Sequence, residues 1–394
     1  MNEWRKVKLG EIINILNGYS FKKEDFSEYG IPVIKIKNIK SLIVDTEDVQ
    51  FVNENFYEAK KKYRVNYKDI LLSMTGSHIS QINSVVGRVA RMKKIGKYLL
   101  NQRVAKLVSK DKKILNEDFL YYFLSQEETT YQLALSAGGS ANQANIGNNN
   151  IYELIINLPS IFLQEKIAKI LSDIDEKIEL NNKINNNLEE QAQLIFKNYF
   201  ITFNHFLGLK PSNWRNLTLE KIATLIAGGD KPKNFSNLKT KKFNIPIFSN
   251  GIINDGLYGY TDIPKILNES VTVSARGTIG FICLREEPYV PIVRLISIIP
   301  QKNIISAKYI YLWLKTINIQ GTGSTQQQLT IPEFKKTKIL VPDEKIMKEF
   351  TNLINPLFEK IKNNQIENEK LTNLKNCLLP KLMNGEIDVK NIEL

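Results

Sequence analysis

Apolar positions along this chain switch between two periods. Short runs rich in Ile, Val and Leu, bounded by Gly, Pro or Asn, predict strands at 32–39, 70–74, 85–91 and 103–109. A second set is predicted at 245–249, 271–275, 279–284 and 293–299. A short aromatic helix is predicted after each set, near 119–126 and 309–315. The period then lengthens. From Ile161 to Phe200 there is neither Gly nor Pro. Positions 167, 171, 174, 178, 181, 185, 188, 192 and 195, stepping by four and three, hold Ile, Leu, Ile, Ile, Asn, Asn, Leu, Ala and Ile. That is a heptad seam with a polar centre at Asn181 and Asn185. A second long helix carries its seam on Phe350, Leu357, Ile361, Leu371, Leu374 and Leu378, with Asn364 and Asn368 matching Asn181 and Asn185. Pro356 is expected to kink or restart that helix near its first turns.

The two patterns repeat because the chain is duplicated. Trp4 is matched by Trp214 and Gly18 by Gly228. Ile31-Pro32-Val33-Ile34 is echoed by Ile245-Pro246-Ile247-Phe248, and Ser73-Met74-Thr75-Gly76 by Ser274-Ala275-Arg276-Gly277. Farther on, Gly138, Gln143, Ile146 and Pro159 map onto Gly321, Gln326, Leu329 and Pro342. The predicted class is therefore α+β, with two similar mixed α/β domains (1–159 and 207–342) joined by long helical segments (160–206 and 343–394). Matching helices with one apolar stripe each most simply bury those stripes against each other as an antiparallel coiled coil. Buried Asn would fix its register at some cost in stability. About 40 helical residues would span roughly 60 Å, with one domain at each end.

The length of 394 residues suits two or three domains, and 43% apolar residues suffice for cores. Two cysteines, Cys283 and Cys377, cannot build a disulfide framework, and two distant histidines, His78 and His205, argue against a His-based metal site. No uncharged apolar run is long enough to span a bilayer, and no secretory leader opens the chain, so the expected compartment is the cytoplasm.

Charge sharpens the division. Residues 1–159 carry 23 basic against 17 acidic residues, net +6, and 207–342 carry 18 against 8, net +10. The helical segments 160–206 and 343–394 are −2 and −1. Two basic globular parts suggest a polyanion partner, with nucleic acid the usual one.

Catalytic motifs are weak. Asn355-Pro356-Leu357-Phe358 resembles the base-holding loop of adenine methyltransferases, but it falls in a helical pattern without a Gly-rich cofactor turn. Asp343, after Pro342, reads as the N-cap of the second long helix rather than part of a nuclease core, because the matching segment of the first copy lacks its acidic groups. His78 near Ser73 and Thr75 has no counterpart in the second copy. The Gly-rich segments at 138–146 and 321–329 lack a P-loop Lys but are rich in amides, which suit major-groove adenine.

The layout resembles the specificity subunit of type I restriction-modification systems. The resemblance rests on the C-terminal Leu378-Leu379-Pro380-Lys381-Leu382 with Gly385-Glu386-Ile387, and on Leu158-Pro159 with Gln164-Glu165-Lys166-Ile167-Ala168. Trp4 with Leu9-Gly10-Glu11-Ile12, and Trp214 with Leu219-Glu220-Lys221-Ile222-Ala223, also fit, although Met347 replaces Gln164 in the second copy. The resemblance implies two target recognition domains, each reading half of a bipartite double-stranded DNA site. It also implies a helical spacer that docks two methyltransferase subunits, which two ATP-dependent restriction subunits can join. S-adenosylmethionine, ATP and Mg would reside on those partners, with no cofactor, metal or catalytic residue in this chain. Because the two domains differ, the expected site is asymmetric.

Expected DNA contacts in the first copy are Lys35, Lys37, Asn38, Ser73, Thr75, Arg88, Arg103, Gln143 and Asn145. In the second they are Asn250, Ser274, Arg276, Thr278, Arg294, Gln326 and Gln327. They are chosen for corresponding loop positions or suitable chemistry, and Arg276 is the sharpest, since Arg pairs bidentately with guanine. Asn181, Asn185, Asn364 and Asn368 are expected to set the helix register. Two other readings stay open at this point: a self-sufficient DNA-modifying enzyme, and a coiled-coil scaffold whose basic domains bind DNA without reading it.

Overall fold

The structure, a computed structural model, describes residues 4–77, 86–140, 143–321 and 328–393. By internal contacts the chain forms two units, Met1–Leu180 with Glu367–Leu394, and Asn181–Ile366. Both boundaries fall inside long helices, Ile161–Phe200 and Glu344–Met383.

In the first unit, the five-stranded core sheet runs in the order Ile13–Asn17, Val104–Ser109, Ile70–Ser73, Val89–Arg91, Leu42–Ile43. A second five-stranded sheet is centred on Ile31–Ile34, which is parallel to Tyr98–Leu100. The predicted run at 32–39 thus divides: its strand ends at Ile34, and Ile36–Asn38 form a 3-10 turn. Gly138–Ser140 pairs antiparallel with Gln143–Asn145, which in turn pairs with Thr75–Gly76. Alternation alone could not show this, because Gly, Ser, Ala and Asn carry no strand signal.

The aromatic helix Glu117–Leu124 starts where the Asn116 side chain accepts from the backbone N–H of Phe119. It buries Phe119, Leu120 and Tyr122 in the core. Leu163, Ile167 and Leu171 of one long helix join that core together with Leu379, Leu382 and Met383 of the other.

The second unit repeats the plan with four core strands in the order Ala223–Ala227, Leu295–Pro300, Ser270–Ser274, Ile282–Arg285. Helix Ala307–Leu314 occupies the place of Glu117–Leu124 and is capped likewise, by Ser306. Its core takes in Phe196 and Phe200 from one long helix and Phe350, Ile354 and Phe358 from the other.

Within each unit the two helix segments are antiparallel. In the first, Asp175 contacts Lys375 and Lys177 contacts Glu367. In the second, Asn185 accepts from Asn364 at 2.8 Å and Glu349 accepts from the Tyr199 hydroxyl at 3.0 Å. Asn181 and Asn364 are buried.

Two expectations for the second long helix are corrected. It does not restart at Pro356, because one helix runs through that residue. The ring removes one N–H and costs about 3 kcal/mol in a helix interior. Burial of Phe350, Ile354 and Phe358 on both sides, at roughly 1.5–3 kcal/mol each, outweighs that cost. Leu374, placed in the seam, is instead 47% exposed, and its neighbour Lys375 is buried. The reason is electrostatic: the Lys375 ammonium lies 2.5 Å from Asp175, which also accepts from the Tyr122 hydroxyl at 3.0 Å. At corresponding places the second unit carries Ala192, Phe358 and Leu312, all buried.

The expected N-cap Asp343 is observed. Its carboxylate accepts from the backbone N–H of Ile346 at 3.1 Å, from Asn213 at 3.2 Å and from the Trp214 indole at 3.3 Å. The Ile346 N–H foremost, then the two side-chain donors, hold its pKa below the usual carboxylate range.

Candidate nucleic-acid interface

In the first unit three loops are stitched together at the end of strand Ile70–Ser73. The backbone N–H of Met74 donates to the Arg103 carbonyl at 2.9 Å, and that of Ile146 donates to the Met74 carbonyl at 2.8 Å. A fourth segment lies against them at Gly18. A Cβ there would meet the Asn101 carbonyl oxygen at 2.2 Å, so only glycine permits this approach. The loops enclose an open groove of about 720 Å³, lined among others by Asn17, Thr75, Gln102, Arg103 and Asn145, and by no carboxylate.

The groove is rich in hydrogen-bonding groups. Arg103 is exposed, and its guanidinium has no hydrogen bond or ion pair among the described residues. The Thr75 hydroxyl donates to Asn145 Oδ1 at 2.8 Å, which orients that exposed amide. Asn150 is spent on structure: Oδ1 accepts from the Gly147 N–H at 2.8 Å and Nδ2 donates to the Ser136 carbonyl at 2.9 Å. Such a wall can hold phosphates and base edges. It offers no activated nucleophile, and the described residues contain no group of three or more His, Cys, Asp or Glu placed to bind a metal.

The second unit reproduces the lattice. The N–H of Ala275 donates to the Arg294 carbonyl at 2.8 Å, and the N–H of Leu329 to the Ala275 carbonyl at 2.8 Å. Gly228 repeats Gly18, with the Ile292 carbonyl oxygen 2.0 Å from where a Cβ would lie. Arg294 is exposed in a left-handed turn, at φ +70°. Arg276 is half-buried at the place of Thr75, and its guanidinium has no partner among the described residues. Asn250 ties this loop down: Nδ2 donates to the Arg276 carbonyl at 2.7 Å, while its own carbonyl accepts from Thr278 at 2.5 Å and Ser274 at 3.3 Å.

Several expected contact residues are placed otherwise. Ser73 and Ser274 are fully buried at strand ends, and Ser73 Oγ accepts from the Arg88 N–H at 3.1 Å. Asn38 is buried as well, donating to the Asp48 carbonyl at 2.8 Å and accepting from the Lys35 N–H at 3.0 Å. These three polar groups are buried and close turns. Lys37 pairs with Asp48 at 2.7 Å on the surface. Lys35 donates to Gln50 and lies 3.9 Å from the Phe26 ring centre; burial first, then the charge of Lys37, lowers its pKa. The 35–38 turn is absent from the groove lining.

Arg88 is half-buried beside Ser73. Gln143 lies on strand Gln143–Asn145, while Gln326, Gln327 and His78 fall outside the described residues. Gln102, Asn148 and Asn149 line the groove without having been singled out. The Asn triplet at 148–150, following a Gly-rich segment, was the available signal. The Asn355–Phe358 sequence lies inside a helix, as its periodicity implied.

Known proteins show the same layout. The profile of the type I restriction modification DNA specificity domain matches residues 1–190 and again 211–371. A Mycoplasma pneumoniae chain provisionally named a type I specificity subunit is 30% identical over 266 residues, which cover 67% of this chain and 70% of that one. The HindI specificity subunit of Haemophilus influenzae is 24% identical over 476 residues, covering 98% of this chain and all of that one. Among solved structures, the type I S subunit from M. genitalium superposes with a TM-score of 0.58 at 18% identity, over 97% of this chain and 96% of that one. It therefore shares the fold.

Proposed function

The chain belongs to the type I restriction-modification DNA specificity family, as a recognition subunit and not a catalytic one, and from that premise we propose that its two units read the two parts of an asymmetric, bipartite double-stranded DNA site. In this reading the chain positions two methyltransferase subunits for adenine N6 methylation, and restriction subunits join them for cleavage. S-adenosylmethionine, ATP and Mg are held by those partners. The complex works in the cytoplasm; no helix among the described residues is long and apolar enough to cross a membrane.

The observation that carries the reading is the carboxylate-free groove of the first unit, with Arg103, unpaired among the described residues, on its wall and the same lattice rebuilt around Arg294 in the second. Phosphate contacts supply affinity, and the few side chains at the lattice supply choice of base. Different side chains at matching points, Thr75 and Arg276, make the two half-sites unlike.

The test is co-expression with the neighbouring methyltransferase gene, followed by methylome sequencing with and without this chain. One bipartite adenine motif that disappears with the chain supports the proposal. An unchanged methylome supports a scaffold that does not read sequence. S-adenosylmethionine binding by the isolated chain in calorimetry would support a self-sufficient enzyme.

A further inference from the structure

The second unit carries a turn built differently from its counterpart in the first. After strand Ile245–Phe248 the chain forms a loop whose residues Asn254, Asp255 and Gly256 are all left-handed, at φ +49°, +55° and +80°. Asn and Asp tolerate this region better than other non-glycine residues, and side-chain bonds fix the loop in it. The clamp is Arg285, only 7% exposed. Its Nη2 donates to the Asp255 carbonyl at 2.6 Å, its Nε donates to the Thr272 hydroxyl at 3.0 Å, and its guanidinium stacks 3.5 Å from the Phe248 ring centre. The N–H of Ser249 closes the loop on the Gly256 carbonyl at 2.8 Å. A Cβ on Gly256 would lie 2.3 Å from the Ser249 carbonyl oxygen. In the first unit Met92 stands where Arg285 does, and the matching loop is the 3-10 turn Ile36–Asn38.

The clamped turn displays two apolar side chains, Ile252 at 56% and Ile253 at 84% exposure. An isolated exposed isoleucine needs no explanation. Two adjacent ones at the tip of a loop clamped by a buried arginine do, because the clamp holds them out in solvent instead of letting them fold inward. The same loop holds Asn250, whose amide fixes the carbonyl of Arg276 at 2.7 Å. The apolar tip and the Arg276 guanidinium, which has no partner among the described residues, are thus carried by one hydrogen-bonded assembly, on the lattice that also bears Arg294.

We propose that Ile252 and Ile253 form an apolar tip that contacts DNA bases beside Arg276, and that this tip sets specificity in the half-site read by the second unit. The chemistry it fits is the apolar part of a base, presented either as the C5-methyl of thymine in the major groove or as a base step opened by a wedge. The inference rests on the DNA-reading function proposed above.

The experiment uses the full chain in complex with its methyltransferase, on a duplex carrying the methylated motif. Ile253→Ala is expected to weaken binding roughly tenfold and to relax one position in one half of the motif only, with Tm unchanged because the side chain is exposed. Deoxyuridine is then substituted for each thymine of that half in turn. If one such duplex binds the wild type more weakly and Ile253→Ala equally, the contact is to the methyl group. If instead 2-aminopurine in that half brightens with the wild type and not with Ile253→Ala, the contact is a wedge. Unchanged affinity and motif for both Ile252→Ala and Ile253→Ala overturn the tip while leaving the DNA-reading function standing. A wild-type complex without any bipartite motif overturns both.

Discussion

Arg103 and Arg294 are the same residue of the same lattice, one in each unit: each backbone carbonyl accepts the N–H that follows the central core strand, from Met74 at 2.9 Å and Ala275 at 2.8 Å. Both side chains are exposed and unpaired among the described residues. Arg103→Ala is expected to cost about 1–3 kcal/mol in binding and to degrade one half of the motif. Arg294→Ala is expected to degrade the other half. Methylome sequencing of the two variants checks this; loss of the same half by both would refute the assignment.

Asp175, Lys375 and Tyr122 form a polar cluster where the second unit has Phe358, Ala192 and Leu312. Lys375→Met alone leaves a part-buried carboxylate without its cation and is expected to cost about 3 kcal/mol. Adding Asp175→Leu and Tyr122→Phe should recover most of that loss, because the second unit shows the apolar packing to be viable. Thermal denaturation of the single and triple variants provides the comparison.

Asp343 titrates below the ordinary carboxylate range because donors surround its charged form. A depressed folded pKa means its contribution is present above the unfolded pKa of about 3.9 and is lost as pH falls through the folded value. Asp343→Ala should therefore lower stability at neutral pH by about 1 kcal/mol. It should also flatten the fall in stability below about pH 4. Denaturant titrations at pH 7 and pH 3 test both statements.

The two thiols should separate cleanly. Burial pushes Cys283 up to about 11, whereas Cys377 is exposed. Because the thiolate is the reactive form, a maleimide at pH 7 is expected to label Cys377 in the native chain and Cys283 only after denaturation. Mass spectrometry of the modified peptides decides it.

Much of this molecule was legible beforehand. The duplication, the inner core strands and the Ile161–Phe200 helix follow from periods that local chemistry enforces, whereas the edge strands Ile13–Asn17, Leu42–Ile43 and Ala223–Ala227 did not show. So does the Asp343 cap, since a carboxylate ahead of a helix has one dominant use. What sequence could not show was which polar side chains are consumed by the fold. Ser73, Ser274 and Asn38 are of the same residue types as a DNA-reading group, and only burial reveals that each closes a turn. Lys375 was hidden for the converse reason: a lysine is expected outside, and its partner Asp175 lies 200 residues away in sequence. The left-handed turn clamped by Arg285 was equally invisible, because Asn254 and Asp255 tolerate that conformation without announcing it.

The unit boundaries within the long helices bear on how the chain is made. The unit Asn181–Ile366 is one continuous stretch, whereas the other must await Glu367–Leu394 to complete its core with Leu379, Leu382, Met383 and Val389. Domains usually mature in the order in which the ribosome releases them. Here the order is inverted: the half synthesised first is the last to close, and it stays open until Glu367–Leu394 has been made. A premature stop near position 370 would thus spoil the amino-terminal unit while sparing the one encoded closer to the lesion.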